Sequence, residues 1–269
     1  MTKIEWTDEV WNPVTGCTKI SEGCQHCYAE RMAKRLKGRF GYPEDDPFRV
    51  TFHPDKLDQP LKWKKPRMVF VSSMGDLFHE DVPFHQIDVI LGQIVKVPQH
   101  TFLILTKRPT RMSFHLSDQM LPGRITPDHL HQIQWPLPNL WLGVTAENQQ
   151  RADERIPILL QIPAAKKFVS VEPMLGPLKL SLRYHSHGIQ GHRKLDWVIA
   201  GCESGPGRRP AKVQWFRDLK NQCVEAGVPY FLKQMEINFS YKMPNGVTRS
   251  QDRIVKMPML DGRIWDQMP

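Results

Sequence analysis

Short apolar runs alternate along the chain with amphipathic segments. Each run is long enough for a buried strand, and the segments between carry apolar residues at helical spacing. The pattern predicts strands at Trp11–Thr15, Arg49–His53, Met68–Ser72, Thr101–Leu105, Leu140–Val144, Lys167–Val171, Trp197–Ala200 and Pro229–Leu232. It predicts helices at Tyr28–Leu36, Phe84–Val97, Gln149–Gln161 and Val213–Ala226. Gly227 is a natural C-cap for the last of these. Prolines break up residues 110–138, where a helix is predicted only at Asp128–Ile133 and the rest is predicted to be a surface excursion.

Strands that alternate with helices favour parallel pairing, because parallel strands need crossover connections. The predicted strands are continuously apolar, as expected when both faces of a sheet are covered. The predicted fold is therefore α/β, a complete or partial (β/α) TIM-type barrel. A doubly wound sheet is the alternative, but no G-x-G-x-x-G follows the first strand. We assign residues 1–235 to the barrel and residues 236–269 to a small C-terminal extension packed on it.

Polar residues with catalytic or binding capacity directly follow almost every predicted strand. They are Cys17; Ser72, Ser73 and Asp76; Thr106, Lys107 and Arg108; Thr145, Glu147 and Asn148; Ser170 and Glu172; Glu203 and Ser204; and Lys233 and Gln234. In a barrel these positions converge on one rim, where active sites are built. Strands also end in polar turns for structural reasons alone, but the repetition favours a shared site.

Cys17, Cys24 and Cys27 are three of the five cysteines and form a C-x6-C-x2-C pattern. The N-terminus has no apolar signal-peptide core, which predicts a cytoplasmic protein with reduced thiols. Zinc in structural sites and clusters for electron transfer normally have four ligands. Three local thiols therefore indicate a metal centre with an open position, and the spacing alone does not separate iron–sulfur from zinc. The candidates for a fourth zinc ligand are His26, His53 and Cys202. Cys223 is predicted to be a buried residue of a helix.

The chain is basic, with 37 Lys and Arg against 28 Asp and Glu, a formal net charge of +9 and a pI of about 9.4. This charge favours an anionic partner, nucleic acid above all, with a small anionic substrate as the alternative. No apolar run is long enough for a membrane span, so no membrane partner is predicted. The candidates for contact with a nucleic-acid substrate are Lys107, Arg108, Glu203, Arg208, Arg209 and Lys233.

Motifs spread over nearly the whole chain carry a resemblance to a known family. They are WNPVTGC, GCQHCYAERMA, HPDKLDQPLKWKKP, SSMGDLFHE, TKRP, LGVTAEN, SVEPMLGP, GCESGPGRRP and LDGRIWDQMP. In these motifs the chain resembles a phage- and bacteria-associated three-cysteine family that is similar to radical S-adenosylmethionine enzymes. The order of the motifs is similar to that in the spore photoproduct lyase branch. The usual superfamily spacing is C-x3-C-x2-C, so Cys17 reaches across a longer loop here.

The resemblance implies a radical-SAM-like barrel and an enzyme that uses a 4Fe–4S cluster, S-adenosylmethionine and an external electron donor. It implies that Cys17, Cys24 and Cys27 bind the cluster. The residues that it implies for cofactor contact are Ser73, Gly75, Asp76, Thr106, Glu147 and Glu172. Together with the basic charge, this predicts a radical enzyme acting on a nucleic acid or nucleotide. Two alternatives stay open: a zinc-stabilised, non-catalytic nucleic-acid-binding protein, and a radical enzyme acting on a small metabolite or peptide.

Overall fold

The computed structural model describes residues 4–118, 135–180, 182–184, 193–243 and 248–269. Its strands are β1 (Glu9–Trp11), β2 (Val14–Thr15), β3 (Thr51–Phe52), β4 (Met68–Val71), β5 (Thr101–Thr106), β6 (Leu140–Thr145), β7 (Lys166–Val171), β8 (Arg183–Tyr184), β9 (Arg193–Lys194), β10 (Trp197–Gly201), β11 (Tyr230–Lys242), β12 (Thr248–Lys256), β13 (Met259–Leu260) and β14 (Arg263–Ile264). Its α-helices are α1 (Tyr28–Leu36), α2 (Phe84–Val95), α3 (Pro109–Asp118), α4 (Gln149–Gln161) and α5 (Val213–Ala226).

One eight-stranded sheet organises the fold, in the order β1-β4-β5-β6-β7-β10-β11-β12. The first seven of these strands are parallel and follow chain order, while β12 is antiparallel to β11. The pairs β2–β3, β8–β9 and β13–β14 form small separate ladders. The predicted α/β class is therefore confirmed. In the described part of the chain β1 and β12 end the strand order without pairing to each other.

The two faces of this sheet are covered in different ways. Alternate side chains of each strand, such as Val169 and Phe168, point to opposite faces. On one face the strands share an apolar core with residues of α2, α3, α4 and α5. The other face carries a second cluster that consists of Trp6, Leu103, Trp141, Phe168, Trp197, Ile199 and Phe231. No described helix contributes to this second cluster. The side chains on that face of the sheet therefore pack mainly on one another and on Trp6.

Trp6 shows how strongly the sheet is curved. Its ring centre lies 4.8 Å from that of Phe70 on β4 and 5.9 Å from that of Trp197 on β10. These strands are the second and the sixth of the sheet, which would be about 19 Å apart in a flat arrangement. One indole contacts both, so the strands curve around a shared aromatic interior.

Local signals fix the start of α4 and the end of α5. The bounds of α1, α4 and α5 are those predicted from the sequence. Asn148 caps α4, because its side chain accepts a hydrogen bond from the amide of Arg151 (3.0 Å). Gly227 ends α5 with a φ of 64°, the left-handed conformation expected of a C-cap glycine. None of the described helices has the length and apolar character needed to cross a bilayer.

The helix α3 corrects the prediction that residues 110–138 form a surface excursion with a helix only at Asp128–Ile133. Pro109 occupies the first helical position, where its missing amide proton costs nothing. Met112 and Leu116, one turn apart, are fully buried. The predicted helix at Asp128–Ile133 lies outside the described residues.

The C-terminal residues form part of the main sheet and its edge. The predicted boundary after residue 235 falls inside β11, which runs to Lys242 and pairs with β12 along its second half. Farther on, the amide of Leu232 donates to the carbonyl of Trp265 (2.8 Å). The indole nitrogen of Trp197 donates to the carbonyl of Gln267 (2.8 Å). The last residues therefore cover the edge of β11 that β12 leaves free.

Candidate functional site

The cysteine loop, residues 16–27, connects β2 to α1 and carries the three clustered thiols. Cys17 lies two residues beyond β2, Cys24 ends a 3-10 turn that begins at Glu22, and Cys27 is the N-cap residue of α1. All three thiols are partly exposed, and none forms a disulfide. By contrast, Cys223 is fully buried in α5, as predicted.

The turn after β4 holds the start of this loop. The amide of Gly16 donates to the carbonyl of Met74 (2.9 Å), and Gly16 and Gly75 form a parallel bridge. A Cβ on Gly75 would lie 2.7 Å from the carbonyl oxygen of Gly16, so only glycine allows this approach. The hydroxyl of Ser73 donates to the side chain of Asn12 (3.1 Å). Of the residues implied for cofactor contact, Gly75 thus contacts the start of the loop, and Ser73 bonds to Asn12, which precedes it.

Asp76 joins the ends of β4 and β5. Its buried carboxylate accepts hydrogen bonds from the hydroxyl of Thr106 (2.7 Å), the amides of Phe78 (3.0 Å) and Lys107 (3.1 Å), and Nη1 of Arg108 (3.1 Å). Four donors from its own chain leave this carboxylate well satisfied. The structure therefore places Asp76, Thr106, Lys107 and Arg108 together, as the sequence predicted.

Arg108 connects this carboxylate to the cysteine loop. Its Nη1 lies 3.4 Å from Sγ of Cys17, and its Nη2 donates to the hydroxyl of Thr18 (3.0 Å). Its Nε donates to Glu80 (2.8 Å), and the side chain is buried. His79 bonds to the same Thr18 hydroxyl (2.8 Å). Arg108 was predicted to contact substrate, but most of its donors already serve contacts within the chain.

The end of β6 reaches the middle of the loop through Glu147, which is fully buried. One carboxylate oxygen accepts a hydrogen bond from Nη1 of Arg155 (2.9 Å), and the other, Oε1, has no partner among the described residues. A Cβ on Gly23 would lie 3.0 Å from that unpartnered oxygen. Arg151, on α4, forms an ion pair with Glu22 of the loop (3.2 Å).

The end of β10 holds the last part of the loop. The carboxylate of Glu203 accepts hydrogen bonds from Nδ1 of His26 (3.0 Å) and from Nη2 of Arg209 (2.5 Å). Arg209 also donates to the side chain of Gln25 (3.3 Å). Burial opposes ionisation of Glu203, but the hydrogen bonds from Arg209 and His26 prevail and lower its pKa to about 2.

Three other predicted site residues make their main contacts away from the cysteine loop; they are Glu172, Lys233 and Arg208. Glu172 forms an ion pair with Lys233 (2.6 Å), which links the ends of β7 and β11. Arg208 pairs with Glu236 on β11 (2.6 Å). Within the part of the chain that the structure describes, none of the three bonds to the cysteine loop.

The thiols lie in unlike electrostatic surroundings. Burial and the nearby charge of Asp76 raise the pKa of Cys17 to about 11, against the opposing effect of Arg108. For Cys24 burial also disfavours the thiolate, but the charge of Lys107 and hydrogen bonds around Ser21 lower its pKa overall. Cys17 and Cys24 lie close enough for the charge of one to affect the other.

The candidate metal centre consists of the three thiols of the cysteine loop. Within residues 4–118, 135–180, 182–184, 193–243 and 248–269, no group of three or more His, Cys, Asp or Glu side chains is arranged to hold a metal ion. Of the predicted zinc ligands, His26 bonds to Glu203 and His53 to Thr15 (2.8 Å). Three reduced, partly exposed thiols on one loop nevertheless match, in their chemistry, the ligands of an iron–sulfur cluster or of zinc.

Comparison with known proteins gives a family but no activity. A family model described as Protein of unknown function (DUF5131) matches residues 1–269. The chain belongs to this family. No curated protein and no solved structure matches it.

Sequence reasoning missed several residues of this DUF5131 chain that bond to the cysteine loop or to the side chains around it. They are Asn12, His79, Arg151 and Arg155. Arg151 and Arg155 lie one helical turn apart just after Glu147, and this spacing could have indicated that both face the same site. His79 stands inside the SSMGDLFHE motif, yet nothing in its local pattern indicates that it bonds to Thr18, which lies 61 residues away.

Proposed function

We propose that this protein is an iron–sulfur enzyme of the radical S-adenosylmethionine type that acts on a nucleic acid or nucleotide. The observation that carries the proposal is the position of the three-thiol loop. It lies across the carboxyl ends of the parallel strands and is held there by residues that follow β4, β5, β6 and β10. Active sites of parallel α/β folds are built at that edge of the sheet.

The fold supports this proposal through its curvature and its layers. Strands in simple chain order, helices on one face and an aromatic interior on the other are features of a partial (β/α) barrel. A doubly wound sheet would have helices on both faces. We therefore propose a partial barrel of the radical-SAM type, with the cysteine loop at its mouth.

In this proposal Cys17, Cys24 and Cys27 hold a 4Fe–4S cluster. Three protein thiolates leave one iron for S-adenosylmethionine, and the bound pair supplies radical chemistry once an external donor provides an electron. Metal binding requires deprotonated thiols. Lys107 provides a positive charge near Cys24 and favours its thiolate form. Arg108 lies within hydrogen-bond distance of Cys17 and favours its thiolate too, against the burial and the Asp76 charge that raise the pKa of this thiol.

Glu147 is the strongest of the proposed cofactor contacts. Its carboxylate is buried beside the loop, and one oxygen lacks a partner in the described structure. A buried acceptor of this kind gains a hydrogen bond when a polar ligand arrives. Glu172, Ser73, Gly75, Asp76 and Thr106 remain proposed contacts as well. Gly75 already contacts the loop backbone, and Ser73, Asp76 and Thr106 already bond to other side chains of the chain.

Metal analysis of anaerobically purified protein tests the proposal. We expect iron and acid-labile sulfide in the wild-type chain, together with reductive cleavage of added S-adenosylmethionine. Cys24→Ala should lose the iron, while Cys223→Ala, which removes a buried thiol of α5, should keep it. A colourless protein that carries one zinc and no iron would favour the zinc-stabilised, non-catalytic alternative.

A further inference from the structure

A cleft of about 890 Å³ opens beside the cysteine loop, between α3 and α4. Its lining includes Ile20 from the loop, Lys107 and Arg111 around the start of α3, Phe114 within α3, and Arg151 and Ile158 from α4. Ile20 lies between Cys17 and Cys24 in the chain, and Arg108, which also lines the cleft, has its Nη1 3.4 Å from Sγ of Cys17. A ligand in this cleft would therefore border the proposed metal centre directly.

The cleft carries an excess of positive charge. Five cationic side chains line it against two carboxylates. Three of the cations are engaged, because Arg108 pairs with Asp76 and Glu80, Arg151 with Glu22 and Glu154, and Arg155 with Glu147.

The other two cations, Lys107 and Arg111, have no carboxylate partner within the described chain. Arg111 donates one hydrogen bond to the carbonyl of Val82 (2.6 Å), and its Nε is buried without a partner there. Two unneutralised cations on one wall favour an anionic ligand such as a phosphate group.

An exposed aromatic ring lies beside these cations. The side chain of Phe114 is 61% exposed and that of Ile20 is 39% exposed. The neighbouring ring of Phe84 is not available, because His115 stacks on it at 4.6 Å and the Arg111 guanidinium lies 4.2 Å from its centre. Phe114 is therefore the ring in this wall that can receive a flat partner such as a nucleobase.

We propose that this cleft binds single-stranded nucleic acid, with phosphates at Lys107 and Arg111 and a base stacked on Phe114. The inference rests on the proposed function, because it names the substrate class and its entry to the same site. The net charge of +9 favours a polyanion over a free nucleotide, because every neutralised phosphate of a strand releases counterions. A single strand is favoured over a duplex, because only unpaired bases offer their faces to a protein ring.

Fluorescence anisotropy with labelled oligothymidylate and oligouridylate, measured over a salt series, tests this inference. Phe114→Ala should weaken binding by at least about fivefold with an unchanged salt dependence, and Phe114→Trp should restore it. Lys107→Gln should reduce the slope of log K against log salt by about 0.7. The matched controls are Phe40→Ala, a phenylalanine 72% exposed elsewhere, and Lys96→Gln, at the end of α2. Both should bind like the wild type.

Three results would overturn the inference: binding by Phe114→Ala equal to that by Phe40→Ala, thymidine monophosphate competing as well as the oligonucleotide, or no oligonucleotide binding at all. The iron content is measured on the same protein that is titrated. Failure of the radical-enzyme proposal can then be distinguished from failure of the nucleic-acid cleft proposal. A protein that contains iron but does not bind the oligonucleotides would refute the proposed role of the cleft and leave the radical enzyme standing. Strand binding that depends on Phe114 in a protein without iron refutes the radical enzyme and leaves the cleft standing.

Discussion

The carboxylate of Glu203 accepts a hydrogen bond of 3.0 Å from Nδ1 of His26, a residue that lies between two of the clustered cysteines. Arg209 donates to the same carboxylate through its amide (2.8 Å) and its guanidinium. The buried, ionised carboxylate of Glu203 therefore links the end of β10 to the cysteine loop. Two residues that are 177 positions apart in the chain depend on each other for this arrangement.

Glu203→Gln should destabilise the protein in a pH-dependent manner. The pKa of Glu203 falls from 4.5 to about 2 on folding, so its stabilising effect is complete above pH 4.5 and is lost as the pH falls towards 2. Near neutral pH the variant should lose at most about 3 kcal/mol of unfolding free energy. Urea unfolding at a series of pH values should show this difference shrinking in acid. Glu225→Gln, an exposed carboxylate of α5, is the control, and a pH-independent difference for Glu203→Gln would contradict the prediction.

Gly23→Ala should destabilise the cysteine loop. Its Cβ would lie 3.0 Å from Oε1 and Cδ of Glu147, a carboxylate that Arg155 holds in a fully buried position. Forcing these groups apart costs about 1–3 kcal/mol of unfolding free energy. The matched control is Gly92→Ala in α2, where nothing lies within 4 Å of the added carbon and the protein should gain about 0.5–1 kcal/mol. Thermal unfolding of both variants makes the comparison, and equal effects would argue against the close contact with Glu147.

The fold was predictable wherever local pattern and tertiary packing agree. The bounds of α4 and α5 follow from apolar spacing and from the caps Asn148 and Gly227. The second half of β11 was missed because Ile237, Phe239 and Tyr241 alternate there with polar residues instead of forming a continuous apolar run. Such alternation is typical of a strand with one exposed face, and pairing with β12 completes this one.

The site was predictable in its location but not in its contacts. Polar residues at successive strand ends indicated that Asp76, Glu147 and Glu203 would approach the cysteine loop, and the structure brings each of them there. The partners of these carboxylates could not be inferred. The bond between Arg108 and Asp76, for example, spans 32 residues and depends on how two adjacent strands align. The metal and the substrate stay predictions.

Asp76→Asn should be strongly destabilising. In one orientation the amide protons of the asparagine would face the Lys107 amide and Arg108 Nη1, and in the other they would face the Phe78 amide and the Thr106 hydroxyl. Of these four groups only the hydroxyl can accept a hydrogen bond, so either orientation sets donor against donor. The buried guanidinium of Arg108 would also lose one of its two carboxylates. We expect a loss of about 3 kcal/mol in unfolding free energy. Asp81→Asn, which changes a carboxylate with 72% of its side chain exposed, should cost less than about 0.5 kcal/mol. Similar small losses for both variants in urea unfolding would count against the central role of Asp76.

Replacing Trp6 tests whether the curved sheet depends on its aromatic interior. The indole is 4% exposed and contacts rings from β4, β7 and β10. Trp6→Ala removes these contacts and leaves a cavity, which should lower the unfolding free energy by about 3–5 kcal/mol.

Trp6→Phe is the matched variant, because it keeps an aromatic ring and removes the indole N–H, which is buried without a partner among the described residues. Relief of that unsatisfied donor offsets part of the lost volume, so this variant should lose less than about 1.5 kcal/mol. Urea unfolding monitored by far-UV circular dichroism measures both losses without relying on tryptophan fluorescence. If Trp6→Ala unfolded like Trp6→Phe, the strands would hold their curvature without this residue, and hydrogen bonding with helix packing would suffice to set it.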